Sequence, residues 1–148
     1  MDRRDSRTSA TVHPVKVTKF DKRRDLIIVP GRVWGPHGPA LPLRLVLDTG
    51  AAETIIVPEA LDELGYSARA HGDQITSLRS AVGQEQGYMI RVERFTCLGH
   101  QEKNYAIHAH DLPEGWGIEG LIGLSFLRML NYEVRSIEGR ILVERADG

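Results

Sequence analysis

The chain has 148 residues, of which 41% are hydrophobic and 26% are charged, and this composition is typical of one soluble globular domain. A single cysteine excludes an intrachain disulfide, and no apolar run approaches the roughly 20 residues that a membrane-spanning helix needs. The net charge of -1 is unevenly distributed, because residues 1–24 hold eight Lys or Arg and three Asp, whereas the remainder holds eleven basic and seventeen acidic residues.

Residues 1–14 are polar and carry almost no apolar periodicity, so we expect a flexible leader followed by a single domain over residues 15–148. Short basic termini are more often solvated tails than nucleic-acid sites, and no nucleic-acid partner is expected. The N-terminus also lacks the apolar segment of a secretory signal. This favours a cytoplasmic location, either alone or as the soluble part of a longer protein.

Alternating and β-branched apolar runs predict strands in the first part of the chain, over residues 15–18, 26–29, 41–47 and 54–57. The Gly and Pro cluster at residues 35–39 predicts a hairpin between the second and third strands.

Proline and glycine punctuate the rest of the chain. A short helix is predicted over residues 58–64, since Pro58 suits a first helical turn and Gly65 follows the last apolar residue. Gly83 and Gly87 predict the tip of a hairpin, and Ser125 is placed to cap a second short helix. Further strands are predicted at residues 75–78, 88–98, 105–109, 132–135 and 140–144, and residues 120–124 form an apolar run with a buried pattern. Many short strands and few helices indicate a small β-barrel-like fold.

The tripeptide Asp48-Thr49-Gly50 is the motif with chemical content. It ends the apolar strand over residues 43–47 and precedes a second apolar run over residues 51–56. The carboxylate therefore lies at a turn between two buried segments, which is a setting typical of a catalytic acid. The alternative is a turn aspartate that only accepts hydrogen bonds from nearby amides.

Residues 45–56 resemble the active-site loop of the retropepsin-like aspartic proteases. Residues 121–124 are similar to the glycine-bearing strand that passes beside that loop in the family and leads into a short helix. The resemblance covers about residues 24–145 and implies a mostly β fold, a small closed β-barrel with a flap hairpin and one or two short helices. Retroviral members usually carry an acid and an arginine where Ala52 and Leu124 stand, so the chain is more similar to bacterial-type members.

The resemblance implies a role for each matched residue of the active-site loop. Asp48 is expected to be the catalytic acid, and Thr49 is expected to hydrogen-bond across a dimer. The Gly50 amide would orient the carboxylates. Ala51 would line the substrate cleft.

Two further elements are implied by the same resemblance. Ile122 and Gly123 are expected to pack beneath the active-site loop. The glycine-bearing hairpin of residues 77–87 would be a flap that closes over a bound peptide. The flap residues proper are expected to be Ser80, Ala81, Val82 and Gly83.

One aspartate motif implies two chains. Peptide hydrolysis by this chemistry needs two carboxylates that share a proton, and the chain offers a single Asp-Thr-Gly. A symmetric homodimer that places Asp48 opposite Asp48 supplies the second carboxylate. The expected activity is aspartic endopeptidase, acting on a peptide or protein bound as an added strand, with no cofactor and no metal. The alternative is a catalytically silent peptide-binding or dimerisation module with the same fold.

Other chemically notable residues have simpler interpretations. His108 and His110 project to one face of a strand but lack a further ligand beside them, so we expect surface histidines and no metal site. Cys97 is expected to be a small buried apolar residue. Trp116, in a glycine-rich loop, fits either the core or a cleft wall.

Overall fold

A computed structural model of the chain describes residues 15–67, 72–80 and 83–144. The residues of the expected leader lie outside this part. The ten strands in chain order are β1 Val15–Lys19, β2 Ile28–Trp34, β3 Ala40–Leu47, β4 Ile55–Ile56, β5 Gly72–Ser80, β6 Gly83–Cys97, β7 His100–Ala109, β8 Gly120–Ile122, β9 Asn131–Arg135 and β10 Arg140–Glu144. The helices are α1 Pro58–Leu64 and α2 Leu124–Leu127.

Six strands close into a barrel in the order β2-β3-β8-β4-β7-β6, because β6 pairs back with β2 from Gly31↔Cys97 to Trp34↔Arg94. The β3–β8 and β4–β7 pairs are parallel and the other pairs are antiparallel. Closure leaves no free edge among these six strands. The predicted mostly β fold, a small closed barrel with two short helices, is confirmed.

The strand β5 lies outside the barrel, and among the described residues it pairs with β6 alone, in a ladder that runs to Ser80↔Gly83. This ladder is the predicted hairpin, although its tip differs from the prediction. Gly87 is inside β6, opposite Thr76, and does not form the turn. A side chain at Gly87 would collide with the carbonyl oxygen of Ala109 and with the His110 ring. Glycine is therefore needed for β6 to lie this close to the end of β7.

A separate three-stranded sheet, in the order β1-β10-β9, closes one side of the barrel. Val15 lies opposite Glu144 and Lys19 lies opposite Arg140, so the first and the last described strands pair within one chain. Ile141 and Val143 of the central strand are buried and face the core.

The core contains buried side chains from nearly every element and includes a cluster of aromatic rings. Phe126 makes edge contacts with Phe95 and Tyr105 at centroid distances of 5.3 and 5.8 Å. Cys97 is buried, as predicted, and burial raises the pKa of its thiol to about 12. A thiol that stays protonated is a poor nucleophile.

The helix α1 begins and ends at the predicted residues. Pro58 occupies its first turn, where no backbone donor is needed, and Gly65 adopts a left-handed conformation with φ of 100°. The Gly65 and Tyr66 amides donate to the carbonyls of Asp62 and Leu61, which satisfies the last turn. Neither helix in the described part of the chain is long and apolar enough to cross a membrane.

Candidate active site

Asp48 lies at the end of β3, in a tight turn held by backbone hydrogen bonds. Its amide donates to the carbonyl oxygen of Ile122 at 3.0 Å, which ties the turn to β8. The Gly50 amide donates to Oδ1 of Asp48 at 2.9 Å, and the Ala51 amide donates to the Asp48 carbonyl at 3.2 Å. These bonds fix one carboxylate oxygen within its own loop. Asp48 is partly buried, whereas Thr49 and Gly50 are exposed.

The start of α2 supports this loop from below. The amides of Leu124 and Ser125 donate to the carbonyls of Ala51 and Ala52 at 2.8 and 2.9 Å. A side chain at Gly123 would lie 2.3 Å from the backbone oxygen of Glu53. Only glycine therefore allows the loop and α2 to approach this closely.

Buried hydroxyl groups join the same elements. The Tyr105 hydroxyl donates to Oγ1 of Thr54 at 3.1 Å and lies 2.9 Å from Oγ of Ser125. Oγ1 of Thr54 also accepts from the Gly123 amide at 3.2 Å, and Oγ of Ser125 accepts from the Thr54 amide at 3.3 Å. Burial raises the pKa of Tyr105, although its hydrogen bonds with Ser125 and Thr54 oppose this, so the hydroxyl remains a donor.

The predicted cap on α2 is therefore wrong. Gly123 is the N-cap residue, and it provides no side-chain hydrogen bond. Ser125 lies inside the helix, which ends at Leu127, and its hydroxyl serves the network with Tyr105 and Thr54. Competition from two nearby polar groups explains why the serine does not cap.

The strands around Asp48 present two different faces. The core face carries Leu45, Ile56 and Ile122, which are fully buried. The site face carries Val46, Ile55 and Leu121, which form a second and smaller apolar cluster with partly buried neighbours. Those neighbours are Leu26, Ile28, Ala51, Leu112 and Ile118. Asp48 follows Val46 by two residues and so extends the site face.

His108 and His110 do not lie on the surface, so that prediction is wrong. His108 is 15% exposed in its side chain, with Nε2 3.3 Å from Oε2 of Glu53, and His110 is 2% exposed. His108 is on β7, and His110 directly follows this strand. Glu53 contacts His108, and the strand segment around Gly87 packs against the His110 ring. Within the described part of the chain, no three potential ligands come together to hold a metal ion.

The structure brings most of the predicted site residues together. Asp48, Ala51, Ile122 and Gly123 are joined by the contacts above. Ser80 and Gly83 form the last pair of the β5–β6 ladder. Ala81 and Val82 lie outside the described residues.

Sequence reasoning missed the residues that surround the Asp48 loop and hold it in place. Thr54, Tyr105 and Ser125 are ordinary residue types for a strand or a short helix, and no local pattern links them. Glu53 and His108 are 55 positions apart and meet only because β4 and β7 pair in parallel. The one available signal was the alternation that puts Glu53 on the same side as Ile55.

A closed barrel of six strands, with an aspartate turn braced by a glycine-bearing strand, is an architecture of acid proteases. The chain matches the family described as aspartyl protease over residues 29–126, which is more than half of its length. It therefore belongs to the aspartyl protease family.

Among solved structures, the chain is similar to a retropepsin-like aspartic protease from Rickettsia conorii. The TM-score is 0.64, the sequence identity is 17%, and the likeness covers 90% of this chain and 92% of that one. At this identity the likeness shows the fold, which is retropepsin-like. No curated protein matches the chain.

Proposed function

We propose that the chain is an aspartic endopeptidase that works as a homodimer, with Asp48 of each subunit supplying one carboxylate of a catalytic pair. The observation that carries the proposal is the Asp48 turn itself. The carboxylate is oriented by the Gly50 amide, while Thr49 and Gly50 are exposed beside it. A surface that presents one oriented carboxylate per chain suits a twofold contact that brings two together.

Two adjacent carboxylates sharing one proton can activate water without a metal. One carboxylate removes a proton from the water molecule that attacks the peptide carbonyl carbon, and the other donates its proton to the carbonyl oxygen. The carboxylic acid that took the water proton then gives it to the leaving nitrogen as the carbon–nitrogen bond breaks, and the other carboxylate takes a proton back from a hydroxyl of the tetrahedral intermediate.

The surrounding residues have roles that follow from their positions. Thr49 would hydrogen-bond across the twofold axis, and Ala51 would contact the substrate backbone. Ile122 and Gly123 would hold the loop in position. The carbonyl of Ile122 accepts from the Asp48 amide, and Gly123 packs against the backbone of Glu53.

The β5–β6 hairpin would be the flap. Its end at Ser80, Ala81, Val82 and Gly83 would close over an extended peptide and exclude water during the reaction. The peptide would bind as an additional strand through its backbone, and the apolar cluster of Val46, Ile55 and Leu121 would contact its side chains.

The first test is Asp48→Asn, with Asp111→Asn as the control because Asp111 is an exposed loop aspartate. We expect Asp48→Asn to lower kcat by at least about 10²- to 10⁴-fold on a peptide library, with no loss of folding. Asp111→Asn is expected to keep full activity. Unchanged turnover in the Asp48 variant would disprove the proposal.

The second test asks whether the two carboxylates come from two chains. Wild type is mixed with about a tenfold excess of Asp48→Asn and allowed to exchange subunits. Most wild-type chains then pair with a variant, so activity per wild-type chain is expected to fall about tenfold. Activity that stays constant in the mixture, or a monomer in sedimentation velocity under assay conditions, would exclude the shared site.

Ala52 and Leu124 stand where retroviral members usually carry an acid and an arginine. Because this ion pair is absent, the competing function is a catalytically silent peptide-binding module. The loop and α2 are joined there by backbone hydrogen bonds, which do not require catalysis. Tight peptide binding by a dimer that cleaves nothing between about pH 3 and pH 8 would favour this module.

A further inference from the structure

A continuous row of side chains crosses five strands of the barrel on the site face. Each neighbouring pair in the row is in register, so the side chains point to the same side of the sheet. From β3 to β6 the members are Val46, Leu121, Ile55, His108 and Met89. The row is therefore apolar except at His108.

Two carboxylates lie beside this row. Asp48 follows Val46 by two residues on β3, and Glu53 precedes Ile55 by two residues at the start of β4. Because β4 runs opposite to β3, both carboxylates lie towards the same end of the row. Glu53 is thus a second acid on the site face, at the far end of the loop that begins with Asp48.

The position of Glu53 is fixed by its backbone and by His108. Its carbonyl packs against Gly123, and the next residue, Thr54, is held by Tyr105 and Ser125. Its Oε2 lies 3.3 Å from Nε2 of His108, yet its side chain remains 42% exposed. The carboxylate is therefore oriented on one side and open to solvent on the other.

His108 lies beside Glu53, with its Nε2 facing Oε2 at 3.3 Å. A carboxylate only accepts hydrogen bonds, so a hydrogen on Nε2 makes this contact attractive. Nδ1 of His108 is buried and has no partner among the described residues, so the ring has no competing hydrogen bond to turn towards. The ring therefore limits the positions open to the Glu53 carboxylate, whose other side faces solvent.

The other charges described on this face do not neutralise Glu53. Nη2 of Arg44 lies 2.6 Å from Oε2 of Glu119, and the two side chains form an ion pair with each other. Arg91 donates to the carbonyl of Asn104. An oriented, open carboxylate beside an apolar row fits a side chain with an aliphatic stem and a cationic end.

We propose that Glu53, positioned by His108, selects a Lys or Arg side chain in the substrate peptide. The inference rests on the proposed function, because it takes the site face as the wall of the peptide cleft. In a twofold dimer Glu53 occurs twice, so a basic side chain is favoured at one position on each side of the scissile bond. Glu53 is a specificity residue, and His108 is a positioning residue that acts through it.

The experiment compares peptides that differ only by Lys or norleucine at each position around the scissile bond. The readout is the ratio of kcat/KM for the Lys peptide to that for the norleucine peptide, since a general loss of activity cancels in it. Wild type is expected to favour Lys at one position on each side. Glu53→Gln keeps the shape but removes the charge, and we expect it to lower the ratio about tenfold.

Further variants separate specificity from structure. Glu59→Gln, at an exposed position on α1, should leave the ratio unchanged. Glu53→Lys should reverse the preference towards a Glu peptide. His108→Leu should lower the ratio about threefold, and His108→Gln, which keeps a donor, should restore part of it.

The outcomes separate this inference from the proposed function. Cleavage by wild type with the same ratio in Glu53→Gln would overturn the inference and leave the endopeptidase intact. If wild type cleaves neither peptide, the endopeptidase proposal fails, and the ratio of peptide affinities measured by fluorescence anisotropy decides the role of Glu53. Equal affinities, or no binding of either peptide, would overturn it.

Discussion

The two faces of the strands around Asp48 use similar residues for different purposes. Ile122 on the core face is fully buried in a cluster that draws on nearly every element, whereas its neighbour Leu121 belongs to a cluster of a few residues. The core face also holds its polar groups in a closed network, while the site face leaves Asp48 and Glu53 accessible. The comparison indicates that one face carries the stability, whereas the other leaves two carboxylates within reach of solvent.

The largest expected effect on stability comes from truncating one of two adjacent residues on β8, which tests the difference between the two faces. Ile122→Ala should lower the free energy of unfolding by about 2–5 kcal/mol, because it opens a cavity in the main core. Leu121→Ala should cost less, about 1–2 kcal/mol, and should mainly raise KM for peptides. Urea unfolding followed by circular dichroism measures both, and equal losses would contradict the distinction.

The next effect concerns glycines on the two sides of the active-site loop. Gly123→Ala places a methyl group against the backbone of Glu53 and should destabilise the fold by about 1–3 kcal/mol. At Gly50 the added carbon would meet only Oδ1 of Asp48, at 3.3 Å, so Gly50→Ala should be milder. Thermal unfolding ranks the two variants, and a larger loss at Gly50 would refute the packing argument.

A third test removes one hydroxyl from the closed network. Thr54→Val keeps the side-chain shape but leaves the buried Gly123 amide without its acceptor, which should cost about 1–3 kcal/mol. Thr96→Val, on a partly buried strand position, is the matched control and should change stability by less than about 0.5 kcal/mol. Similar values for the two variants would show that the network does not stabilise the loop.

The smallest expected effect belongs to the Arg44–Glu119 ion pair. Burial raises the pKa of Glu119, but hydrogen bonds and the charge of Arg44 outweigh it, and the net shift is below the ordinary value of 4.5. The pair therefore stabilises the fold above about pH 4.5 and loses this contribution as the pH falls through the lower folded pKa. Arg44 is well exposed, so salt should screen the effect.

This pH dependence is measured as the difference in Tm between wild type and Glu119→Gln. The difference should be small at about pH 6 and should decrease as the pH is lowered below about 4.5. Added salt should also reduce it. A difference that grows on acidification would reverse the assigned sign.

Local signals account for the elements that were predicted correctly. The helix α1 was placed to the residue because Pro58 and Gly65 act through their own backbone restrictions, which do not depend on the rest of the fold. The strands around Asp48 were predicted from alternation, and the barrel followed from the resemblance carried by Asp48 and Gly123.

Long-range pairing accounts for the predictions that failed. Gly87 was assigned to a turn, but its reason is the approach of Ala109 and His110 from another strand. Ser125 was assigned to a cap, but it serves hydroxyl groups that arrive from β7 and from the loop. The burial of His108 and His110 likewise depends on which segments cover β7, and no local pattern encodes this.

The pairing of β1 with β10 fixes how the barrel can be attached to anything else. Because Val15 lies opposite Glu144, the two ends of the described part of the chain lie side by side. A linker joined at either end would therefore attach to the same side of the barrel. The fold is therefore suited to insertion, as one unit, between two neighbouring points of another chain.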